Sequence, residues 1–91
     1  MKSTVIKTNN QHYNVEPENG VDFSLEELKQ IVKGYIEIVY LSPSQLMVCN
    51  EEGKCIDSFT PNPYATMIVR AAGIHDTIYG DVLVCDSKMI K

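Results

Sequence analysis

The chain has 91 residues and a mass of 10.2 kDa, which is enough for a single domain spanning residues 1–91. Hydrophobic residues make up 44% and charged residues 22%, as in average globular proteins, so the composition argues against disorder. No apolar run is long enough to cross a bilayer, and the first residues lack a signal-peptide pattern. The net charge of −4 argues against direct binding of nucleic acid or of a membrane surface.

The first predicted element is a β-hairpin. Two β-type runs, residues 4–8 and 11–16, flank Asn9 and Asn10, and asparagine tolerates the left-handed backbone that a tight turn needs. Tyr13 and Val15 alternate onto one face of the second run. A proline follows this run and ends it, since proline cannot donate to a β-ladder.

An amphipathic helix is predicted next, between Ser24 and Gly34. Ser24 and Glu27 have the spacing of a capping box, in which each side chain satisfies a backbone amide of the other residue. Apolar residues then recur at helical spacing. Gly34 stands where a left-handed C-terminal cap is expected.

Residues 35–41 and 45–50 are predicted to form two antiparallel strands, because they are rich in β-branched and aromatic residues and are joined by a Ser-Pro-Ser turn. Alternation places Tyr40 in the core and Tyr35 outward. A turn over residues 50–54 then leads into a short extended piece around Cys55.

A second helix and a last strand complete the pattern. Asn62 and Pro63 are typical of an N-cap followed by a first-turn proline, and the helix is expected over residues 63–72. The apolar run at residues 82–85 is flanked by acidic residues and predicts an inner strand.

The order of elements predicts an α+β fold. We expect a five- to six-stranded, mostly antiparallel sheet with both helices on one face. The other face of the sheet would then be left to water or to a partner.

The segment from residue 73 to residue 81 is the first candidate site, because it gathers a histidine, carboxylates and a phenol on a loop. The candidate ligand-binding residues are Asn62, His75, Asp76, Tyr79 and Asp81. A helix cap and turn chemistry account for nearly all of these residue types, so the structural interpretation is preferred.

Three cysteines, Cys49, Cys55 and Cys85, lack the spacing of zinc or redox motifs. Cys49 and Cys85 lie in apolar runs, where burial raises the pKa of a thiol and makes it inert. No phosphate-binding glycine motif is present. We therefore predict no catalytic residue, metal site or cofactor, and reduced thiols in the cytoplasm.

Charged and aromatic residues form the second candidate site, a surface for a protein partner. Glu26 and Glu27 belong to an acidic segment without lysine or arginine, although two acids in the first turn of a helix also favour the helix dipole. Tyr35 and Glu37 are the other candidates, because alternation places both on the outward face of their strand. Exposed tyrosine is also enriched at interfaces. Imitation of nucleic-acid phosphates is a weaker idea, since −4 is too small a charge.

Four motifs resemble a known family. They are residues 34–39 (Gly-Tyr-Ile-Glu-Ile-Val), residues 50–54 (Asn-Glu-Glu-Gly-Lys), Asn62-Pro63 with Ala65-Thr66, and residues 80–86 (Gly-Asp-Val-Leu-Val-Cys-Asp). Together they are similar to a small bacterial and phage domain of unknown function, found largely in Gram-positive bacteria and their mobile elements. The resemblance covers roughly residues 4–86. It implies a small cytosolic protein encoded on prophages or plasmids, with no established activity to carry over.

The sequence therefore favours a small cytosolic, non-enzymatic interaction protein of mobile-element type that binds an unidentified protein partner, with a homodimer as a further option. The alternative is a small-molecule or nucleotide-binding protein, with or without enzymatic activity, that uses the loop after the second helix. That alternative is supported by the free backbone amides at the start of the second helix, which can bind an anion.

Overall fold

The computed structural model describes residues 3–52 and 60–90. In chain order the elements are β1 (Ser3–Ile6), β2 (His12–Val15), α1 (Leu25–Val32), β3 (Ile36–Tyr40), β4 (Gln45–Asn50), α2 (Pro63–Ala71), β5 (Val82–Asp86) and a short 3-10 helix (Ser87–Met89). The extended piece predicted around Cys55, and with it a sixth strand, lies outside the described residues. Neither helix in the described ranges is long and apolar enough to cross a bilayer.

The five strands form one antiparallel sheet with the order β2-β1-β5-β4-β3. This confirms the predicted α+β class and antiparallel sheet. The β1–β2 hairpin is confirmed as well, with Val5 opposite Tyr13 and a left-handed Asn10 (φ 71°) in its turn. The last strand, β5, lies in the middle of the sheet between β1 and β4, as its apolar run predicted.

The two helices cover opposite faces of the sheet, so the expectation that they share one face is wrong. Leu28 and Val32 of α1 pack into one core, whereas Ala65 and Val69 of α2 pack into another. Adjacent strand residues separate in the same way. On β1, for example, Val5 belongs to the α1 core, whereas the next residue, Ile6, belongs to the α2 core. Because successive side chains of a strand point to opposite faces, the two cores lie on the two sides of the sheet.

Tyr40 is 65% exposed, so its predicted place in the core is wrong. It is the last residue of β3, which is an edge strand, and one flank of its side chain therefore has no neighbouring strand in the described sheet. Tyr35, which immediately precedes β3, is 63% exposed and faces outward as predicted.

The ends of α1 combine one expected and one unexpected feature. Ser24 and Glu27 form the predicted capping box, in which each side chain accepts a hydrogen bond from the other residue's amide. At the C-terminus the left-handed residue is Lys33 (φ 64°), not Gly34. Gly34 is needed for a different reason, because a Cβ at this position would collide with the buried side chain of Asn50. Asn50 donates a hydrogen bond to the carbonyl of Val32 over 3.0 Å.

Gly34→Ala is expected to lower the free energy of unfolding by about 1–2 kcal/mol. An added Cβ would lie 2.6 Å from Nδ2 of Asn50, which cannot retreat without breaking its hydrogen bond to Val32. Urea denaturation measures the change. Asn50→Ala removes the clashing amide. The double variant should therefore lose less stability than the sum of the losses in the two single variants. Equal stability of Gly34→Ala and the parent protein would contradict this account.

Candidate functional site

Asn62, the first candidate ligand residue, is fully buried at the start of α2. Its side-chain amide donates hydrogen bonds to the carbonyls of Ile6 (3.1 Å) and Gly80 (2.9 Å). Its side-chain oxygen accepts one from the amide of Ala65 (3.1 Å), as an N-cap does. Both polar atoms of this side chain therefore serve the fold, since they join α2 to the end of β1 and to the residue that leads into β5.

The loop after α2 is held by the same region of the helix. The hydroxyl of Thr66 donates to the carbonyl of Asn62 (2.8 Å) and accepts from the amide of Ile78 (3.0 Å). In the loop itself, the side chain of Asp76 accepts from the amide of Thr77, and His75 is exposed. These contacts are turn and cap contacts of the kind that the structural interpretation predicted.

Tyr79 and Asp81 follow in the same segment but serve different neighbours. Tyr79 is half-buried and bridges to Pro61 at the approach to α2. Asp81 lies beside the end of β1, where its carboxylate accepts from the amide of Thr8 (3.2 Å). The five candidate ligand residues are thus distributed over a buried cap, the loop after α2 and the charged position at Asp81.

Two lysines converge on Asp81. The Nζ atom of Lys7 lies 3.8 Å and that of Lys33 lies 3.7 Å from the same carboxylate oxygen. The side chain of Asp81 is only 12% exposed, whereas those of Lys7 and Lys33 are 38% and 69% exposed. A nearly buried carboxylate therefore positions two accessible ammonium groups next to each other.

These charges lie at one end of a concave site of about 360 Å³, which we call the hairpin groove. It runs between α1 and the β1–β2 hairpin, on the α1 face of the sheet. Its apolar surface is formed by Val5, Val15, Phe23 and Ile31. Its volume is within the usual range for ligand sites, which are apolar clefts with a few polar groups that fix orientation.

A second concave site, of about 320 Å³, lies on the α2 face. The ring of His12 meets the ring of Tyr64 edge-on there, with 5.7 Å between the centroids. Uncharged polar side chains, Thr4, Asn14 and Gln45, complete its polar lining. This site has none of the paired charges of the hairpin groove.

The candidate partner-binding residues fall into two groups. Glu26 is exposed at the start of α1, whereas the carboxylate of Glu27 accepts hydrogen bonds from the amides of Ser24 and Glu18. Glu27 therefore has a structural role in addition to its charge. Tyr35 and Glu37 are both exposed along β3, and the ammonium of Lys29 lies 5.1 Å from the centre of the Tyr35 ring.

Cys49 and Cys85 are both buried, as predicted. Burial raises the pKa of the Cys85 thiol from 9.0 to about 11, and the neighbouring charge of Asp86 adds to the effect. A thiol with such a pKa is almost entirely protonated at neutral pH and is a poor nucleophile. Cys55 lies outside the described residues. Within residues 3–52 and 60–90, no group of three or more His, Cys, Asp or Glu side chains is placed to hold a metal ion.

The comparison with protein families places the whole fold in one family. The model of the family described as Domain of unknown function (DUF3846) matches residues 1–89. The chain belongs to this family. No curated protein and no solved structure matches the chain. The DUF3846 match confirms that the chain is a domain of unknown function, as its resemblance implied.

The sequence of this DUF3846 chain did not identify Lys7 and Lys33 as candidate site residues. Each is one lysine among several, and no spacing relates them to Asp81. They meet because β1 pairs with β5 and because α1 ends above that pair of strands. Only the pairing of distant segments could have identified this cluster.

Asn62→Asp is expected to lower the free energy of unfolding by about 3 kcal/mol or more. The new oxygen would face the carbonyls of Ile6 and Gly80, which now accept hydrogen bonds from the amide of Asn62. Chemical denaturation followed by circular dichroism measures the loss. Asn14→Asp, at an exposed position, is the control and should change stability by less than about 0.5 kcal/mol. A stable Asn62→Asp protein would rule out the structural role.

The stability of the protein should fall as the pH rises from 9 towards 11, in part because of Cys85. Its folded pKa is raised, so its contribution is complete below pH 9 and is lost as the pH approaches 11. The loss amounts to about 2–3 kcal/mol at most. Urea denaturation at several pH values should show a smaller decline for Cys85→Ala than for the parent protein. Parallel declines would exclude this contribution.

Proposed function

We propose that the chain is a small cytosolic, non-enzymatic interaction protein of bacterial mobile-element type that binds a protein partner along the open edge of its sheet. The observation that carries the proposal is the position of β3. In the described sheet β3 pairs with β4 alone, and both Tyr40 at its end and Tyr35 just before its start are largely exposed. A strand that has a neighbour on one side only in the described sheet can accept an additional strand from another chain.

The backbone groups that would receive such a strand follow from the β3–β4 pairing. Hydrogen bonds join Glu51 to Tyr35 and Leu41 to Gln45 at the two ends of the ladder. Because hydrogen-bonding direction alternates along an antiparallel strand, the odd-numbered residues of β3 face β4. The amides and carbonyls of residues 36, 38 and 40 therefore point towards the open edge.

The side chains of β3 add specificity to the edge. Tyr35 and Tyr40 extend the accessible apolar area at its two ends, and tyrosine is enriched in protein interfaces. Glu37 is exposed between them and would favour a partner with a basic residue at that position. Glu26 is exposed in the first turn of α1, outside β3, and adds negative charge to the molecule.

A second copy of the chain is one partner that would supply hydrogen-bond partners for the outward backbone groups of β3. In an antiparallel pairing centred on Ile38, residue 36 of each copy lies opposite residue 40 of the other, so every outward backbone group has a match. Glu37 lies opposite Val39 and not opposite another glutamate, which avoids like-charge repulsion. Aromatic and β-branched residues pair across the junction, a favourable combination in sheets.

The other parts of the proposal have separate support. The cytosolic, mobile-element origin rests on the resemblance of the sequence motifs. The non-enzymatic role is supported by the two buried cysteines, of which Cys85 has a raised pKa. The alternative of a ligand-binding loop has less support, because Asn62 is fully buried and Asp81 is turned to the hairpin groove.

The double substitution Tyr35→Lys and Tyr40→Lys should weaken partner binding, since lysine on an edge strand opposes strand addition. We expect a host protein retained from lysate, or a dimer seen in sedimentation, to decrease by about tenfold or more, equivalent to about 1.4 kcal/mol. The folded state should persist, because both side chains are mostly exposed.

The matched control is Val21→Lys with Met67→Lys, which adds the same charge at side chains that are 69% and 67% exposed outside β3. This variant should bind as the parent protein does. The proposal fails if the edge and control variants retain partners equally. It also fails if the parent protein is monomeric and retains background proteins only.

A further inference from the structure

The hairpin groove has charges of opposite sign at its two ends. Lys7 and Lys33 surround Asp81 at one end, beside the turn of the hairpin. At the other end Glu16 and Glu18 follow β2, and the amide of Glu18 donates to the carboxylate of Glu27 at the start of α1. The groove lies along β2, at the sheet edge opposite to β3, so it is separate from the surface proposed above.

The basic end has the capacity to bind a further anion. The distances of 3.8 and 3.7 Å from the two ammonium groups to Asp81 are longer than an N–H···O hydrogen bond. Asp81 therefore holds both lysines in place by charge. Each ammonium group can still donate a hydrogen bond to an acceptor that lies closer than Asp81. Two ammonium groups and one carboxylate leave one net positive charge, which favours a carboxylate.

The length of the groove restricts the ligand further. Glu27 and Lys33 lie at opposite ends of the groove and six residues apart on one helix, which corresponds to about 9 Å along the helix axis. A free amino acid is too short to reach both ends with its own charges. An extended peptide advances about 3.3 Å per residue, so side chains about three positions apart match this distance.

Apolar groups line the groove between the two charged ends. Val15 and Ile31 are half-buried, and Tyr13 is 49% exposed beside them. These surfaces would be covered by apolar side chains between the two charges of a peptide, and the burial would add to affinity.

We infer that the hairpin groove binds an extended peptide segment of a protein partner that carries an acidic residue for Lys7 and Lys33 and, about three positions away, a basic residue for Glu16 and Glu18. Apolar residues lie between these charges. The groove thus selects its partner by the order and separation of two opposite charges. This recognition does not depend on strand addition at β3.

Titration of the ¹⁵N-labelled protein with the blocked tetrapeptide Ac-Asp-Leu-Val-Lys-NH₂ tests the proposal. Saturable NMR shifts are expected at residues of the hairpin groove. Lys7→Gln with Lys33→Gln should weaken binding by about tenfold or more, since both ammonium groups that pair with the peptide carboxylate are lost and the nearly buried carboxylate of Asp81 then repels it. Glu16→Gln with Glu18→Gln should weaken it by a smaller factor, because these carboxylates are exposed.

Lys29→Gln with Lys88→Gln removes the same charge outside the groove and should leave the affinity within about twofold of the parent protein. The single-charge peptides Ac-Asp-Leu-Val-Gln-NH₂ and Ac-Asn-Leu-Val-Lys-NH₂ should both bind more weakly than the dipolar peptide. Inorganic phosphate that binds as tightly as the peptide would replace the proposal with a simple anion site. Shifts outside the groove, or no saturable shifts, would overturn it. None of these variants changes β3, so failure here and failure of the edge proposal are distinguishable.

Discussion

Burial of β4 and β5 on both faces is the constraint on which the rest of the structure depends. Neighbouring residues in these strands, such as Leu46 and Met47, are at most 1% exposed and enter different cores. A sheet of this kind needs a helix on each side, because its apolar side chains would otherwise face water. With both layers present, a chain of 91 residues obtains two apolar cores from one sheet.

Polar contacts add to apolar packing in fixing the second helix in place. Asn62 joins α2 to β1 and to Gly80, and Thr66 joins α2 to the loop that returns to β5. Hydrogen bonds define a position and a direction, which apolar packing alone does less strictly. The cluster of polar residues around this loop is therefore explained by the attachment of α2. The same residue types that suggest a ligand site from the sequence are the ones that such an attachment needs.

The two edges of the sheet offer different chemistry to a partner. At β3, which pairs with β4 alone in the described sheet, the two exposed tyrosines support the proposed addition of a strand. At β2 the hairpin groove offers apolar surface between charges of opposite sign. The two proposed binding surfaces are separate, since they lie at opposite ends of the strand order. In both cases the proposed chemistry is recognition, and the buried state of Cys49 and Cys85 is consistent with that proposal.

The sequence by itself determined the local elements, because each depends on residues a few positions apart. The capping box at Ser24, the turn at Asn10 and the cap at Asn62 are local in this sense. The uninterrupted apolar runs at residues 46–49 and 82–85 also indicated strands that are buried on both faces, since such strands lack alternation of apolar and polar residues. Only the tertiary structure decided which face each helix covers and that Lys7, Lys33 and Asp81 meet. These features depend on the pairing of segments far apart in the chain, which no local pattern specifies.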